Sequence, residues 1–240
     1  MKRLTILLLI IAILCIPLSS YATKGAKYSY FSRFGDRNEA RVAVTVDDWW
    51  EPELLPEFIE VANKYGVVLT CYPSGCNLHE KDRERWQMLL DAGGEIGSHG
   101  YAHERMRNYS AERFQHEYER FSKALDEALG YHYEFLTIRL PYGAATGSSG
   151  GCSTGRALHA AGFDHAVFWD WDKTTSVSDS LKHIKNGSII LVHANRHDLE
   201  FLDELLAALA ERNYEYVTIT ELLHITTRLV DDEPEGSVWD

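Results

Sequence analysis

Asp47 and Asp48 stand side by side at the end of the run Arg41 to Trp50, RVAVTVDDWW. Adjacent carboxylates repel each other and cost desolvation free energy if buried, so their pairing calls for a cation or a division of labour. Successive side chains of a strand point to opposite sides. One acid can therefore hold a cation while its neighbour moves a proton, and the cation helps keep that neighbour ionised. Ligands to join them exist. His99 and His103 are four residues apart, so on a helical turn both rings face the same way. With 11 histidines in 240 residues, chance supplies about half of one such pair, and His193 with His197 forms a second. Joined by a carboxylate from another strand end, a histidine pair makes a set of three protein ligands. That set leaves one position for water, the arrangement of a catalytic rather than a structural zinc. Non-haem iron oxygenases use the same ligand types, but their chemistry needs neither a second carboxylate nor the run Arg139-Leu140-Pro141-Tyr142-Gly143.

Short apolar runs read as strands at Arg41–Val46, Val67–Tyr72, Gly94–Gly97, Phe135–Ile138, His165–Trp169, Ser188–Val192 and Tyr216–Ile219. Helical patterns lie between them at Pro52–Tyr65, Lys81–Ala92, Ser110–Leu129, Thr154–Ala161 and Asp198–Asn213. The strand runs are continuously apolar rather than alternating, as in sheets covered on both faces. Strands alternating with helices predict a single α/β domain, a distorted parallel (β/α) barrel of about seven strands. In such barrels the functional groups gather at the C-terminal ends of the strands. Those ends carry Asp47-Asp48, Ser98 to His103, Arg139 to Gly143, Asp170-Trp171-Asp172 and His193, so parallel neighbours would bring all of them to one rim.

The N-terminus carries Lys2 and Arg3, an apolar run from Leu4 to Ile16, and the small-residue site Ser20-Tyr21-Ala22. This is the pattern of a secretory signal peptide over residues 1–22, too short for the roughly 18–20 residues of a membrane span. The chain is expected to be secreted or held in the periplasm or cell envelope, with no stable membrane span after cleavage. Residues 23–40 read as an extended lead-in, 41–226 as the barrel domain and 227–240 as an acidic, solvated tail. A net charge of -12 disfavours nucleic acid, whose binding rests on neutralising phosphates. Cys71, Cys76 and Cys152 remain after cleavage. Export permits a disulfide, and Cys71 with Cys76 could close a small loop, though an odd count leaves one thiol over.

Taken in order, these motifs resemble those of the polysaccharide deacetylases that share the NodB homology domain, carbohydrate esterase family 4. Thr45-Val46-Asp47-Asp48-Trp49 resembles the family's TFDDG, and His99-Gly100-Tyr101-Ala102-His103 its H-[ST]-x-x-H, with Gly100 at the Ser/Thr place. Arg139-Leu140-Pro141-Tyr142-Gly143 resembles RPPYG, and Leu191-Val192-His193 the closing LxH. The likeness runs from about Arg41 to Ile225. It implies metal-dependent hydrolysis of N-acetyl groups on an amino-sugar polymer or oligosaccharide such as chitin-like chains, peptidoglycan or poly-N-acetylglucosamine. It implies a divalent metal ion, Zn²⁺ foremost, on Asp48, His99 and His103, with Asp47 as general base and His193 as general acid. Arg139 would hold Asp47, the Tyr142 backbone N–H would bind the oxyanion, and Leu191 would line the acetyl pocket.

Two departures stand out. The family's fourth motif, D-[ST]-x-D-W, aligns with Asp172 to Ser176, placing Thr175 where an Asp supports the acid histidine. Asp170, Asp179 or Asp198 are the candidate substitutes. Without one, the alternative is a glycan-binding module with weakened catalysis. Trp49 occupies the place of a glycine, so the loop after Asp48 is expected to take another path. Trp49, Trp50, Tyr101, Tyr142, Trp169 and Trp171 cluster near the strand ends. Most should pack in the core, with one or two, Trp49 and Trp171 among them, lining a substrate groove. The Gly/Ser-rich stretch Gly143 to Gly155 is expected to form a flexible rim.

Overall fold

The computed structural model describes residues 30–144, 151–172 and 176–228. The proposed signal peptide, Thr175 and most of the acidic tail lie outside them. The strands are β1 (Tyr30–Ser32), β2 (Arg41–Asp48), β3 (Leu69–Pro73), β4 (Glu95–Ile96), β5 (His165–Val167), β6 (Trp171–Asp172), β7 (Ile189–His193) and β8 (Glu215–Tyr216). The α-helices are α1 (Leu55–Lys64), α2 (Arg83–Asp91), α3 (Ala111–Leu129), α4 (Gly151–Ala160), α5 (Val177–His183), α6 (Arg196–Leu209) and α7 (Ile219–Leu222).

All paired strands run parallel, in the order β4-β3-β2-β7-β6, with β8 beside the start of β2 and β1 beside β5. Ile138 links the two sheets, bridging to Ser98 just after β4 and to Ala166 in β5. Because β5 and β6 belong to one run of chain, these bridges complete a circuit, and the expected distorted parallel β/α barrel is what the chain forms. The run Phe135–Ile138, predicted as a strand, contributes only the bridges at Ile138. Residues 30–32, expected as lead-in, pair with β5 residue for residue. Of the stretch Gly143 to Gly155 expected as a flexible rim, residues 151–155 belong to α4 instead, and residues 145–150 lie outside the described residues.

The parity of β2 organises the core. Val42, Val44 and Val46 belong to the large cluster shared with Phe58, Trp86, Leu202 and Leu206 of the surrounding helices. Ala43 faces the other way, into a smaller cluster with Tyr72, Val167, Ile189, Val217 and Leu222. Four strands contribute to that second cluster, so it fills the barrel interior. Thr45 and Asp47 follow Ala43 at the period of two and are buried, at 0% and 3% exposure. Strand register thus carries Asp47 to the mouth of the interior.

The helices have local reasons for their ends. Ser110 caps α3 by accepting from the Arg113 N–H, and Gly130 at φ 83 closes it in the left-handed conformation that glycine tolerates. Asn195 caps α6 through the Asp198 N–H at 2.9 Å, which sets Asp198 in the first turn beside the end of β7.

Candidate active site

Asp48 Oδ1 lies 3.0 Å from His103 Nε2 and 3.3 Å from His99 Nε2. One donor atom from each of these residues fits within a 4.8 Å cluster. The protonation of His99 is set by its other nitrogen, since Nδ1 is 2.8 Å from the Arg139 carbonyl oxygen. A carbonyl only accepts, so Nδ1 carries a proton; a neutral ring then leaves Nε2 free to ligate a cation, whereas a doubly protonated ring donates from Nε2 to Asp48. A carboxylate oxygen and imidazole Nε2 atoms around one point suit a borderline cation such as Zn²⁺, so the residues present fit the metal that the motifs imply. Burial raises the pKa of Asp48, but hydrogen bonding from His103 and His99 and their charges outweigh it, holding the group well below the usual carboxylate range.

Behind this cluster, Asp47 meets a fully buried guanidinium. Arg139 Nη1 donates to Asp47 Oδ1 and to Thr45 Oγ1, each at 2.7 Å. Its Nε and Nη2 donate to the carbonyls of Val167 and Phe168, and the Tyr72 ring centroid lies 4.2 Å from Cζ. Four of the five guanidinium N–H groups are thereby used, on all three nitrogens, which fixes the orientation of Asp47. The second carboxylate oxygen, Oδ2, points toward His99 Nε2 at 3.9 Å. Thr45, which shares the guanidinium and donates to the Ile190 carbonyl, escaped sequence reasoning. A threonine inside an apolar strand carries no signal of its own.

His193 closes the site from β7, where it is the register partner of Asp47. Leu191 is 2% exposed, two residues earlier and on the same face of the strand. His193 is the exposed residue of β7. Its pKa is raised by pairing with Asp198 first, against burial, with the charges of Asp47, Asp48 and Asp198 adding to the rise.

The backbone around these groups is strained. Asp48, Trp49, His103 and Tyr142 all have positive φ, at 74, 58, 54 and 60°, a conformation rare outside glycine and frequent at functional sites. Trp49 itself adopts the left-handed conformation that glycine takes most readily. Its indole is fully buried, edge-on to Phe58 and Trp86 with centroids at 5.4 and 5.6 Å, and donates to the Val46 carbonyl. Such an indole has no face to offer a sugar. Trp171 is 6% exposed and stacks on Phe201, so it too packs in the core instead of lining a groove. The exposed aromatics at the mouth are Trp50 and Tyr142, 55% and 58% exposed, both against the His103 ring.

Gly100 at φ 71 replaces the motif's Ser/Thr, and a Cβ there would meet Met106. The buried Glu117 of α3 accepts the Tyr101 N–H at 2.8 Å, holding the loop between the two histidines. Cys71 and Cys76 are free thiols, so the small loop is not closed by a disulfide, and the side chain of Cys152 lies outside the description.

The sequence profile of the polysaccharide deacetylase family matches residues 34–163, more than half of the chain. The chain belongs to that family. Its relatives include a bifunctional xylanase/deacetylase of Pseudobutyrivibrio xylanivorans, 23% identical over 85% of this chain but only 33% of the relative, so the chain spans about a third of that protein. A peptidoglycan-N-acetylglucosamine deacetylase of Bacillus cereus is 24% identical over 78% of this chain and 89% of its own. Among solved structures, a peptidoglycan N-acetylglucosamine deacetylase superposes with a TM-score of 0.69 at 22% identity, covering 83% of this chain and 96% of that one. A carbohydrate esterase family 4 pseudoenzyme from Bacillus anthracis superposes at 0.67 and 22% identity, covering 80% and 68%. The family's fold therefore serves both active and inactive members.

Proposed function

We propose that this chain is a metal-dependent deacetylase that hydrolyses N-acetyl groups on an amino-sugar polymer or oligosaccharide outside the cytoplasm. The observation that carries the reading is the convergence of Asp47, Asp48, His99, His103, Arg139 and His193 on one barrel mouth. Asp48, His99 and His103 would hold a divalent cation, Zn²⁺ by its preference for this donor set, and the cation would activate water and polarise the acetamide carbonyl. Asp47, oriented by Arg139, takes the proton of the attacking water. His193 carries a proton to the amine that leaves, so acid and base work is divided between two groups. The Tyr142 N–H is assigned to the developing oxyanion, and Leu191 to the acetyl methyl. The same reading includes the signal peptide at residues 1–22 and an envelope or extracellular location.

Purified protein loaded with Zn²⁺ should release acetate from peptidoglycan, chitin oligosaccharides or poly-N-acetylglucosamine, and Asp47→Asn should reduce the rate at least 100-fold, about the range of a lost general base. Binding of these glycans without acetate release from any of them, by wild type and Asp47→Asn alike, would instead make the chain a glycan-binding module.

A further inference from the structure

The ring of His193 is held from one side. Asp198 Oδ2 accepts the backbone N–H of His193 at 2.8 Å and lies 3.5 Å from its Nδ1. Asp198 is itself fixed: its side chain is 10% exposed, and its own N–H is capped by Asn195. The first turn of a helix also suits a negative side chain. The other two candidate substitutes for the missing fourth-motif Asp are committed elsewhere. Asp170 binds Arg37 at 2.7 Å, the Ser188 hydroxyl and the Ile189 N–H, and Asp179 sits with Lys182 in α5.

We propose that Asp198 is the positioning residue of His193, replacing from the first turn of α6 the carboxylate that this chain lacks at Thr175. The inference rests on the deacetylase reading, with His193 as acid. A carboxylate at Nδ1 selects the tautomer with the proton on that nitrogen, leaving Nε2 to exchange the catalytic proton. It also stabilises the imidazolium form needed to donate. The charged groups around His193 are Asp47 and Asp48 from β2, and Asp198 and His197 from α6. His197 Nδ1 is 3.6 Å from the second oxygen of Asp198, but the ring is 80% exposed, so water competes for it. Asp172 on neighbouring β6 instead accepts the Trp169 indole N–H at 3.0 Å.

The test uses the Zn²⁺-loaded full chain with ¹⁵N-labelled histidine, the His193 signals being assigned by their loss in His193→Gln. Neutral His193 should carry its proton on Nδ1. Asp198→Asn should lower the ring titration by about one unit and kcat by roughly tenfold with little change in KM. The alkaline limb of the pH–rate profile should move down with the titration, because activity ends where His193 loses its proton. Asp198→Glu, which keeps the charge, should restore much of both. A wild-type ring protonated on Nε2, or a titration and alkaline limb unchanged in Asp198→Asn, would overturn the proposal. Should Asp198→Asn fail to fold, the wild-type tautomer alone decides. Should no glycan be deacetylated, ring titration and tautomer still judge Asp198 while the deacetylase reading falls separately.

Discussion

Arg139→Met tests the assembly most directly. Arg139 has no exposed surface and makes four hydrogen bonds, two to side chains and two to backbone carbonyls. Methionine keeps an apolar stem against Tyr72 but removes the charge, leaving Asp47 at 3% exposure without its partner. Removing one member of a buried ion pair costs about 3–5 kcal/mol. The stranded carbonyls of Val167 and Phe168 add about 1 kcal/mol each at most after relaxation. A net loss of about 4 kcal/mol is expected, a large part of the ordinary 5–15 kcal/mol of a domain. In urea unfolding followed by tryptophan fluorescence, the midpoint should fall by roughly 2 M with an unchanged slope near 2 kcal/mol/M. The double variant Arg139→Met/Asp47→Asn should recover more than half of the loss, because no unpaired charge remains. A single variant within 1 kcal/mol of wild type, or a double variant as unstable as the sum of the singles, would refute the pairing argument.

Three further outcomes follow from the same structure. Trp49→Gly relieves a left-handed strain of about 1–2 kcal/mol but empties an indole site worth about 3–5 kcal/mol. Urea unfolding should show a net loss of about 2–3 kcal/mol, and equal stability would mean that Trp49 does not anchor the loop. Glu95 is buried with its pKa raised, chiefly by desolvation against hydrogen bonds from Thr220 and Thr218. An acid whose folded pKa is raised stabilises the fold below its unfolded value, about 4.3, and loses that contribution as pH rises through the folded value. The stability of wild type relative to Glu95→Gln should therefore rise as pH falls from 7 to 4, and a flat difference would contradict the burial argument. Finally, Zn²⁺ at a hundredfold excess over its Kd should stabilise the chain by about 2.7 kcal/mol, an effect reversed by chelator and missing in His103→Ala. Thermal unfolding indifferent to Zn²⁺ and chelator alike would remove the metal from the site.

The alternation of strand and helix was legible because it is written locally, in apolar runs and caps such as Ser110 and Gly130. The short α5 was not foreseen, since only Val177 and Leu181 of its seven residues are apolar and pack on the core, too few to show a helical period. Phe135–Ile138 misled because its composition suits a strand, while only Ile138 finds partners across the barrel. Residue types showed that two histidines and a carboxylate could share a cation, but it was the resemblance that picked Asp48 over Asp47, and the fold brings Asp48, His99 and His103 within reach of one another. By itself, then, the sequence determined which residue types face each other at the mouth. Tertiary structure decided the fate of the residues that broke the pattern. Trp49 holds a glycine's conformation because Phe58 and Trp86, distant in sequence, bury its indole. Asp198 was separated from Asp170 and Asp179 by where α6 begins, beside His193, and by the partners that occupy the other two acids. Strain and pairing of this kind are balanced by contacts between segments, and no local window of sequence contains both halves of such a contact.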